Sequence, residues 1–207
     1  MLDARPDSLS TDLGSGFRVT PSAHGAHRVE LWDVMPVGWL GNFTRATSRI
    51  SVDIVRGVAR RGEHARWVAE FEVRNANGTE SSDEDRGGYG IERIDFLALT
   101  REASDWAIPQ LELLSFELER SSEGQRPLLL TIRARDRMGF LASLLEHLAG
   151  LVLFPEEIRI DTFQNEARDV LSLSSVGGQS PAPEIEAALR ASLASCVRQR
   201  ASLFPST

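Results

Sequence analysis

The sequence has no lysine, a single cysteine and one tyrosine, and it contains no long apolar run. With Cys196 as its only cysteine, the chain cannot form an internal disulfide bond. No apolar segment approaches the ~20 residues of a membrane-spanning helix. The N-terminal residues are acidic and lack the apolar core of a signal peptide. We therefore expect a cytoplasmic protein that does not associate with a membrane.

The charge balance narrows the range of partners. All 23 basic residues are arginines, and 30 acidic residues bring the net charge to −7 and the pI to about 5.2. An acidic protein of this kind does not present a general surface for nucleic acid or anionic lipid. The content of 42% hydrophobic and 26% charged residues is typical of a globular protein. A chain of 207 residues suffices for one ordinary domain or two small ones.

Sequence motifs of common enzymes and metal sites are also missing. There is no Gly-x-Ser-x-Gly elbow, no lysine-containing phosphate loop and no cysteine pair for zinc. His24 and His27 lie three residues apart, but no further metal ligands follow nearby. We expect a protein without catalytic residues, without a bound metal and without a cofactor.

The clearest pattern is a strand, a turn and a helix between residues 128 and 151. Apolar residues alternate with other residues over 128–135, as in a strand with one buried face. The apolar stripe of an amphipathic helix follows at Leu141, Leu144, Leu145 and Leu148. Gly139 precedes this helix and allows another group to approach its backbone, where the free amides of a helix N-terminus attract anions.

The same order of features occurs about a hundred residues earlier in the chain. A strand at 28–33 is followed by a loop and then by Gly38-Trp39-Leu40, which matches Gly139-Phe140-Leu141. A first helix is predicted there, because apolar and small residues repeat at helical spacing at Leu40, Phe43, Thr47 and Ile50. The earlier loop is two residues longer and contains Pro36. This internal repeat predicts two copies of one fold.

Each copy is predicted to have the ferredoxin-like order β-α-β-β-α-β, which gives an α+β fold with antiparallel sheets and helices on one face. The first copy has predicted strands at 28–33, 52–59, 67–73 and 114–118, with a second helix at 91–99. The second copy has strands at 128–135, 157–163 and 169–175 and a helix from Pro183. The last strand of this second copy must be very short. Otherwise the edge of its sheet is completed by the other unit or by another chain.

The predicted organisation has four parts. Residues 1–25 form a mobile N-terminal arm with one short strand near 17–19, and 26–120 form a divergent first unit. Residues 121–126 are a linker, and 127–207 form the second unit. Two such small units would cover exposed sheet edges by packing against each other.

The motif Asp136-Arg137-x-Gly139-x-Leu141-x-x-Leu144 after an apolar strand resembles the signature of ACT domains, small regulatory modules that often bind amino acids. The resemblance continues through 158–162 and 169–173, and the first unit resembles a divergent ACT domain. The pair is similar to the ACT tandems of bacterial PII-uridylyltransferases and of glycine-cleavage repressor-type regulators. The catalytic domains of those uridylyltransferases do not fit within this chain.

The resemblance implies a ligand site between the glycine turn of one unit and a strand of its neighbour. The backbone amides around Gly139 would bind a carboxylate, and Asp136 would bind an ammonium group or cap the helix. The candidate ligand-binding residues are Asp136, Arg137, Met138, Gly139, Phe140, Leu141, Ile158, Ile160, Asp33, Gly38, Trp39 and Asn42. Because of its longer loop with Pro36, the first unit is expected to be the degenerate one.

The sequence thus predicts a non-enzymatic regulatory module that binds an amino acid where two ACT-like units meet. The alternative is a protein-interaction or oligomerisation module without a small-molecule ligand. The expected partners are a small molecule and either a second copy in a homodimer or a regulated protein, with no nucleic acid and no membrane.

Overall fold

The computed structural model describes residues 14–76, 90–101, 106–120 and 127–197. The strands are β1 (Gly16–Pro21), β2 (His27–Val34), β3 (Val52–Arg61), β4 (Arg66–Asn75), β5 (Ser115–Arg120), β6 (Leu128–Arg135), β7 (Phe154–Phe163) and β8 (Glu166–Ser174). The helices are α1 (Trp39–Arg49), α2 (Phe96–Leu99), α3 (Phe140–Gly150) and α4 (Pro183–Cys196). Within these ranges, no helix is both long enough and apolar enough to cross a bilayer.

The eight strands form one antiparallel sheet in the order β1-β2-β4-β3-β7-β8-β6-β5. The two units meet at the centre, where β3 pairs with β7 and Gly57 lies opposite Ile160. The fold is α+β, with two βαββαβ-like units, as the sequence predicts. Strands and helices of both units contribute to a single buried core.

The repeated glycine turns have the same backbone geometry. Gly38 precedes α1 and Gly139 precedes α3, and both have a φ of +79°. This left-handed conformation favours glycine, because it has no Cβ. The two helices pack against each other, α1 contacts β3 and α3 contacts β7. The internal repeat is therefore present in the structure as well as in the sequence.

The period-two patterns correspond to the buried face of the sheet. In β4 the predicted inward residues are all buried, namely Trp67, Ala69, Phe71 and Val73. In β6 the same holds for Leu128, Leu130, Ile132 and Ala134. Phe43 of α1 stacks on Phe71 with ring centroids 5.0 Å apart, so the first helix is fixed directly over β4.

The outer strands differ from the prediction. Residues 114–118 were assigned to the first unit, but β5 pairs with β6, with Phe116 opposite Ile132. The outer position of the first unit is instead taken by β1, which pairs with β2. In both units the outer strand comes from the chain just before the first long strand, because antiparallel neighbours need only a short connection.

The pairing of β1 with β2 also corrects the predicted extent of the mobile N-terminal arm. Residues 16–21 are paired in the sheet, so the short strand expected near 17–19 is real and this part of the arm is ordered. Residues 1–13 and the predicted linker 121–126 lie outside the described residues. The sheet edge left open in the second unit is completed by β5, from the segment assigned to the first unit.

The predicted helix at 91–99 is not continuous. A short 3-10 turn at Ile91–Arg93 is followed by a break and then by the four-residue helix α2. The Asp95 side chain caps α2 by accepting hydrogen bonds from the amides of Leu97 and Ala98, at 3.1 and 3.0 Å. A side-chain cap of this kind starts a new helix at Asp95.

The second predicted helix of the other unit is confirmed as α4, with Pro183 in its first turn. Its buried stripe is narrower than predicted, because Leu189 and Leu193 are buried whereas Ala188 is exposed.

The sheet face away from the helices is polar. Ion pairs cross between strands there, including Arg28–Glu70 at 3.2 Å and Arg56–Glu72 at 3.4 Å. Such a surface is well solvated and does not favour the packing of a second sheet on it.

Candidate functional site

A cavity of about 400 Å³ lies where the first glycine turn meets the second unit. We call it the first-turn cavity. One wall is formed by residues 35–42 with Arg45, Arg61 and Trp67, and the other by α3, the start of β7 and residues 174–178. Neither unit encloses the cavity alone, because β3 and β7 bring the two walls together.

The floor of the first-turn cavity is apolar. Trp39 and Trp67 both line it, and their rings meet edge to face with centroids 5.2 Å apart. Leu145, Leu153 and Pro155 add aliphatic surface from the second unit. Apolar walls with a few polar groups are typical of small-molecule sites.

Two ion pairs lie at the wall of this cavity. Arg45 Nη2 is 2.8 Å from Glu146 Oε2, and Arg61 Nη1 is 3.1 Å from Glu156 Oε1. Ser174 Oγ donates a further hydrogen bond of 2.7 Å to Glu156. In each pair the arginine comes from the first unit and the glutamate from the second. The cavity therefore has two positions where a cation and a carboxylate lie side by side.

Two apolar side chains from the two units are exposed where this cavity opens. Val37 is 82% exposed and Val176 is 66% exposed, and both line the cavity.

Three predicted site residues line the first-turn cavity, namely Gly38, Trp39 and Asn42. Asn42 Nδ2 also donates a hydrogen bond of 3.3 Å to the carbonyl of Thr100. Asp33 does not line the cavity. Its carboxylate is bound to Arg101 at 2.7 Å, so it has a structural partner already.

The second glycine turn faces a much smaller cavity of about 40 Å³, which we call the second-turn cavity. Seven predicted residues line it: Asp136, Arg137, Met138, Gly139, Phe140, Leu141 and Ile160. Thr44, Thr47 and Ser48 of α1 form the opposite wall with the start of β3. Ile158, also predicted, is fully buried in the core and lines neither cavity.

The second turn is covered by the chain segment 106–110. A Cβ atom on Gly139 would lie only 2.2 Å from the ring of Trp106. Ser143 Oγ donates a hydrogen bond of 2.6 Å to the carbonyl of Pro109, and Arg137 donates to the carbonyl of Gln110. The larger cavity thus lies at the turn of the first unit, the unit that we expected to be the degenerate one.

Asp169 is a buried carboxyl group at the second-turn cavity, and the sequence analysis missed it. It is 1% exposed, and burial raises its pKa to about 7, with Asp136 and Asp161 adding to the rise. The amide of Asp161 acts in the opposite direction by donating a hydrogen bond. The pKa of Asp136 is also raised, first by burial and then by Asp53, while Arg74 lowers it.

No protein-family model matches the chain, and no curated protein matches it. Among solved structures, the chain is similar to an aspartate kinase from Synechocystis with a TM-score of 0.43 and 15% sequence identity. The match covers 83% of this chain and 27% of that chain, so this chain spans about a quarter of the kinase. A similarity of this size is too weak to indicate a shared function.

Other residues at the two cavities were also missed from the sequence. Arg45, Arg61, Glu146 and Glu156 belong to ordinary charged faces in the sequence pattern and meet only through the pairing of β3 with β7. Asp169 did leave a signal, because it takes an inward position of β8 between Ala167 and Leu171. Across the described ranges, no three His, Cys, Asp or Glu side chains are grouped so as to hold a metal ion.

Proposed function

We propose that this protein is a non-enzymatic regulatory module that binds a free amino acid in the first-turn cavity. The observation that carries the proposal is the pairing of an apolar floor with two ion pairs that join the units. An amino acid has one carboxylate, one ammonium group and a side chain, and the cavity offers a complement to each.

The charged groups of the ligand would exchange with the ion pairs. Its carboxylate would bind Arg45 or Arg61, and its ammonium group would bind Glu146 or Glu156. Partly exposed ion pairs contribute only about 0–1 kcal/mol each, so opening one costs little. An arginine binds a carboxylate well because its donors are planar and can bond both oxygens.

The size and the floor of the cavity favour a large apolar side chain. A volume of about 400 Å³ is in the usual range of small-molecule sites and far exceeds the need of glycine. Trp39 and Trp67 would pack on the ligand side chain and remove its apolar surface from water. Each square ångström buried contributes about 25 cal/mol, so leucine or phenylalanine would bind more tightly than glycine or serine.

Regulation would follow from the position of the cavity between the units. A ligand that contacts both walls stabilises the arrangement in which they are close. The ligand can therefore shift the equilibrium between two arrangements of the units. The size of that shift is set by the difference between its affinities for the two arrangements. A regulated protein or a second copy would respond to that shift.

Calorimetric titration with the free amino acids tests the proposal. Binding of at least one large apolar amino acid is expected, with glycine inactive. Glu156→Gln should weaken binding, and Glu70→Gln is the matched control, since it breaks an ion pair with Arg28 on the solvated face of the sheet. No heat from any amino acid, or equal losses in both variants, would contradict the proposal.

The alternative function is protein interaction without a small ligand. The exposure of Val37 and Val176 favours it, because both could contact another protein. Under this alternative, Val37→Ser would weaken capture of the partner, and saturating amino acid would not change that capture.

A further inference from the structure

The second-turn cavity, defined above by its Gly139 turn and the facing α1 wall, is lined by carboxyl and hydroxyl groups as well as by apolar side chains such as Ile54 and Ile160. Carboxyl groups come from Asp53, Asp136 and Asp169, and hydroxyl groups come from Thr and Ser residues of α1. Its volume of about 40 Å³ holds a single small ion with one or two waters, since one water needs roughly 10–15 Å³. A free amino acid is too large for it.

Asp169 provides the observation that points to an occupant. The residue is 1% exposed and lines this cavity. Its Oδ1 atom has no hydrogen-bond donor within the part of the chain that the structure describes. A buried carboxyl oxygen without a donor is unfavourable, and such groups are normally paired, protonated or bound to a cation.

The hydroxyl groups of the opposite wall do not supply a donor. Thr47 Oγ1 donates to the carbonyl of Thr44 at 3.1 Å, and Ser48 Oγ donates to the same carbonyl at 2.8 Å. Thr44 Oγ1 donates to the carbonyl of Gly41 at 3.2 Å. Because these protons are used within the helix, the hydroxyl oxygens can offer only lone pairs to the cavity.

Neighbouring arginines are bonded elsewhere. Arg74 Nη2 lies 3.0 Å from Asp53, and Arg137 donates to the carbonyl of Gln110. Neither is bonded to Asp169 in the described structure. When Asp169 and Asp136 are both ionised, neither of these two arginines therefore forms an ion pair with Asp169 to balance the two negative charges.

We propose that the second-turn cavity binds one small monovalent cation, either an alkali ion or ammonium, with Asp169 and Asp136 as its anionic ligands. The hydroxyl oxygens of α1 complete the coordination. A divalent ion bound by three carboxylates is disfavoured, because Asp53 is already paired with Arg74 and the three carboxyl groups are not close enough together to hold one metal ion. The cation would join α1 and β3 of the first unit to the turn and β8 of the second.

The proposed cation should change the pKa of Asp169. Burial raises its pKa, Asp136 and Asp161 raise it further, and the Asp161 amide lowers it. The pKa of the neighbouring Asp136 is raised by burial and by Asp53 of β3, and it is lowered by Arg74 of β4. A bound cation stabilises the ionised carboxyl group and should lower the pKa of Asp169.

Thermal unfolding at pH 8 in different chloride salts of equal ionic strength tests the site. Potassium, sodium and ammonium are compared with choline, which is too large for the cavity. At least one small cation should raise the unfolding temperature by about 2–4 °C in a saturable way. Asp169→Asn should abolish the rise, and Glu157→Gln on the exposed face of β7 should keep it.

A second readout does not require a variant. The Asp169 carboxyl carbon, followed by NMR, should titrate at lower pH in the stabilising salt than in choline. Identical unfolding temperatures in all four salts would overturn the site, as would a response that persists in Asp169→Asn. The same Asp169 pKa in both salts would also overturn the proposed site. It would show that the buried carboxyl group is neutralised by a proton and not by a cation. None of these measurements contains an amino acid, so they are independent of the proposed function.

Discussion

Arg45 and Glu146 occupy corresponding positions in the two units, each seven residues after its turn glycine, and their side chains meet at 2.8 Å. In two identical units this position would bring two like charges together where the units meet. Opposite charges remove that repulsion when the first unit pairs with the second. The divergence of the repeats at this position thus favours pairing of unlike units.

Exchanging these charges tests the pairing. Arg45→Glu should lower the free energy of unfolding by up to ~1 kcal/mol, because two glutamates would face each other on a partly exposed surface. The double variant Arg45→Glu with Glu146→Arg should recover most of that loss in urea denaturation. A double variant as unstable as the single one would show that the contact is not electrostatic.

The two turn glycines form a matched pair for a second prediction. Both have a φ of +79°, but a Cβ on Gly38 meets no atom within 4 Å, whereas one on Gly139 meets Trp106 at 2.2 Å. Gly38→Ala should cost about 1–2 kcal/mol for its backbone conformation alone. Gly139→Ala should cost more, because the ring of Trp106 must move.

Adding Trp106→Ala separates the two effects. In this background most of the extra cost of Gly139→Ala over Gly38→Ala should disappear, because only the tight contact with Pro109 Cδ at 3.1 Å then remains. Equal costs of the two single glycine variants in the wild-type background would show that Trp106 does not cover the second turn. Urea denaturation of all variants provides the measurement.

The pH dependence of stability should report Asp169. Its pKa rises from 3.8 in the unfolded chain to about 7 in the folded protein, so the folded state keeps a proton that the unfolded state has lost. Stability should therefore fall as the pH rises from about 4 to 7 and then level off. The difference is on the order of 4 kcal/mol at most, at about 1.4 kcal/mol per pKa unit.

The comparison with Asp169→Asn isolates this contribution. In choline chloride, the wild type should lose stability relative to the variant across that pH interval. A constant difference between the two proteins from pH 4 to 8 would show that Asp169 titrates normally.

Local patterns in the sequence were sufficient for much of the fold. Two patterns depend only on residues close together in the chain: the period-two alternation of β4 and β6, and the helical spacing after Gly38 and Gly139. Both could therefore be read from the sequence, and so could the repeat that they form. The outer strands were misplaced because β5 has the same alternation whichever sheet edge it joins. The break before α2 was missed because Asp95 acts as a cap only in its actual backbone conformation.

The candidate site was less accessible to sequence reasoning. The glycine turns were identified, but the small size of the cavity at the second turn depends on Trp106, a residue thirty-three positions before Gly139. Ile158 was placed at the site by analogy and lies in the core, since its strand is buried on that face. The ion pairs of the first-turn cavity join residues about a hundred positions apart, and only the β3–β7 pairing brings them together.

The most direct test of ligand binding in the first-turn cavity uses the four tryptophans as reporters. Trp39 and Trp67 line that cavity, Trp106 covers the second turn, and Trp32 lies against Gly16 in β1. Their indole N–H signals are followed by NMR while leucine or phenylalanine is added, with glycine as the control. We predict saturable shifts of the Trp39 and Trp67 signals, with those of Trp32 and Trp106 unchanged. Shifts confined to Trp106, or no shift of any indole signal, would contradict the assignment of the ligand to this cavity.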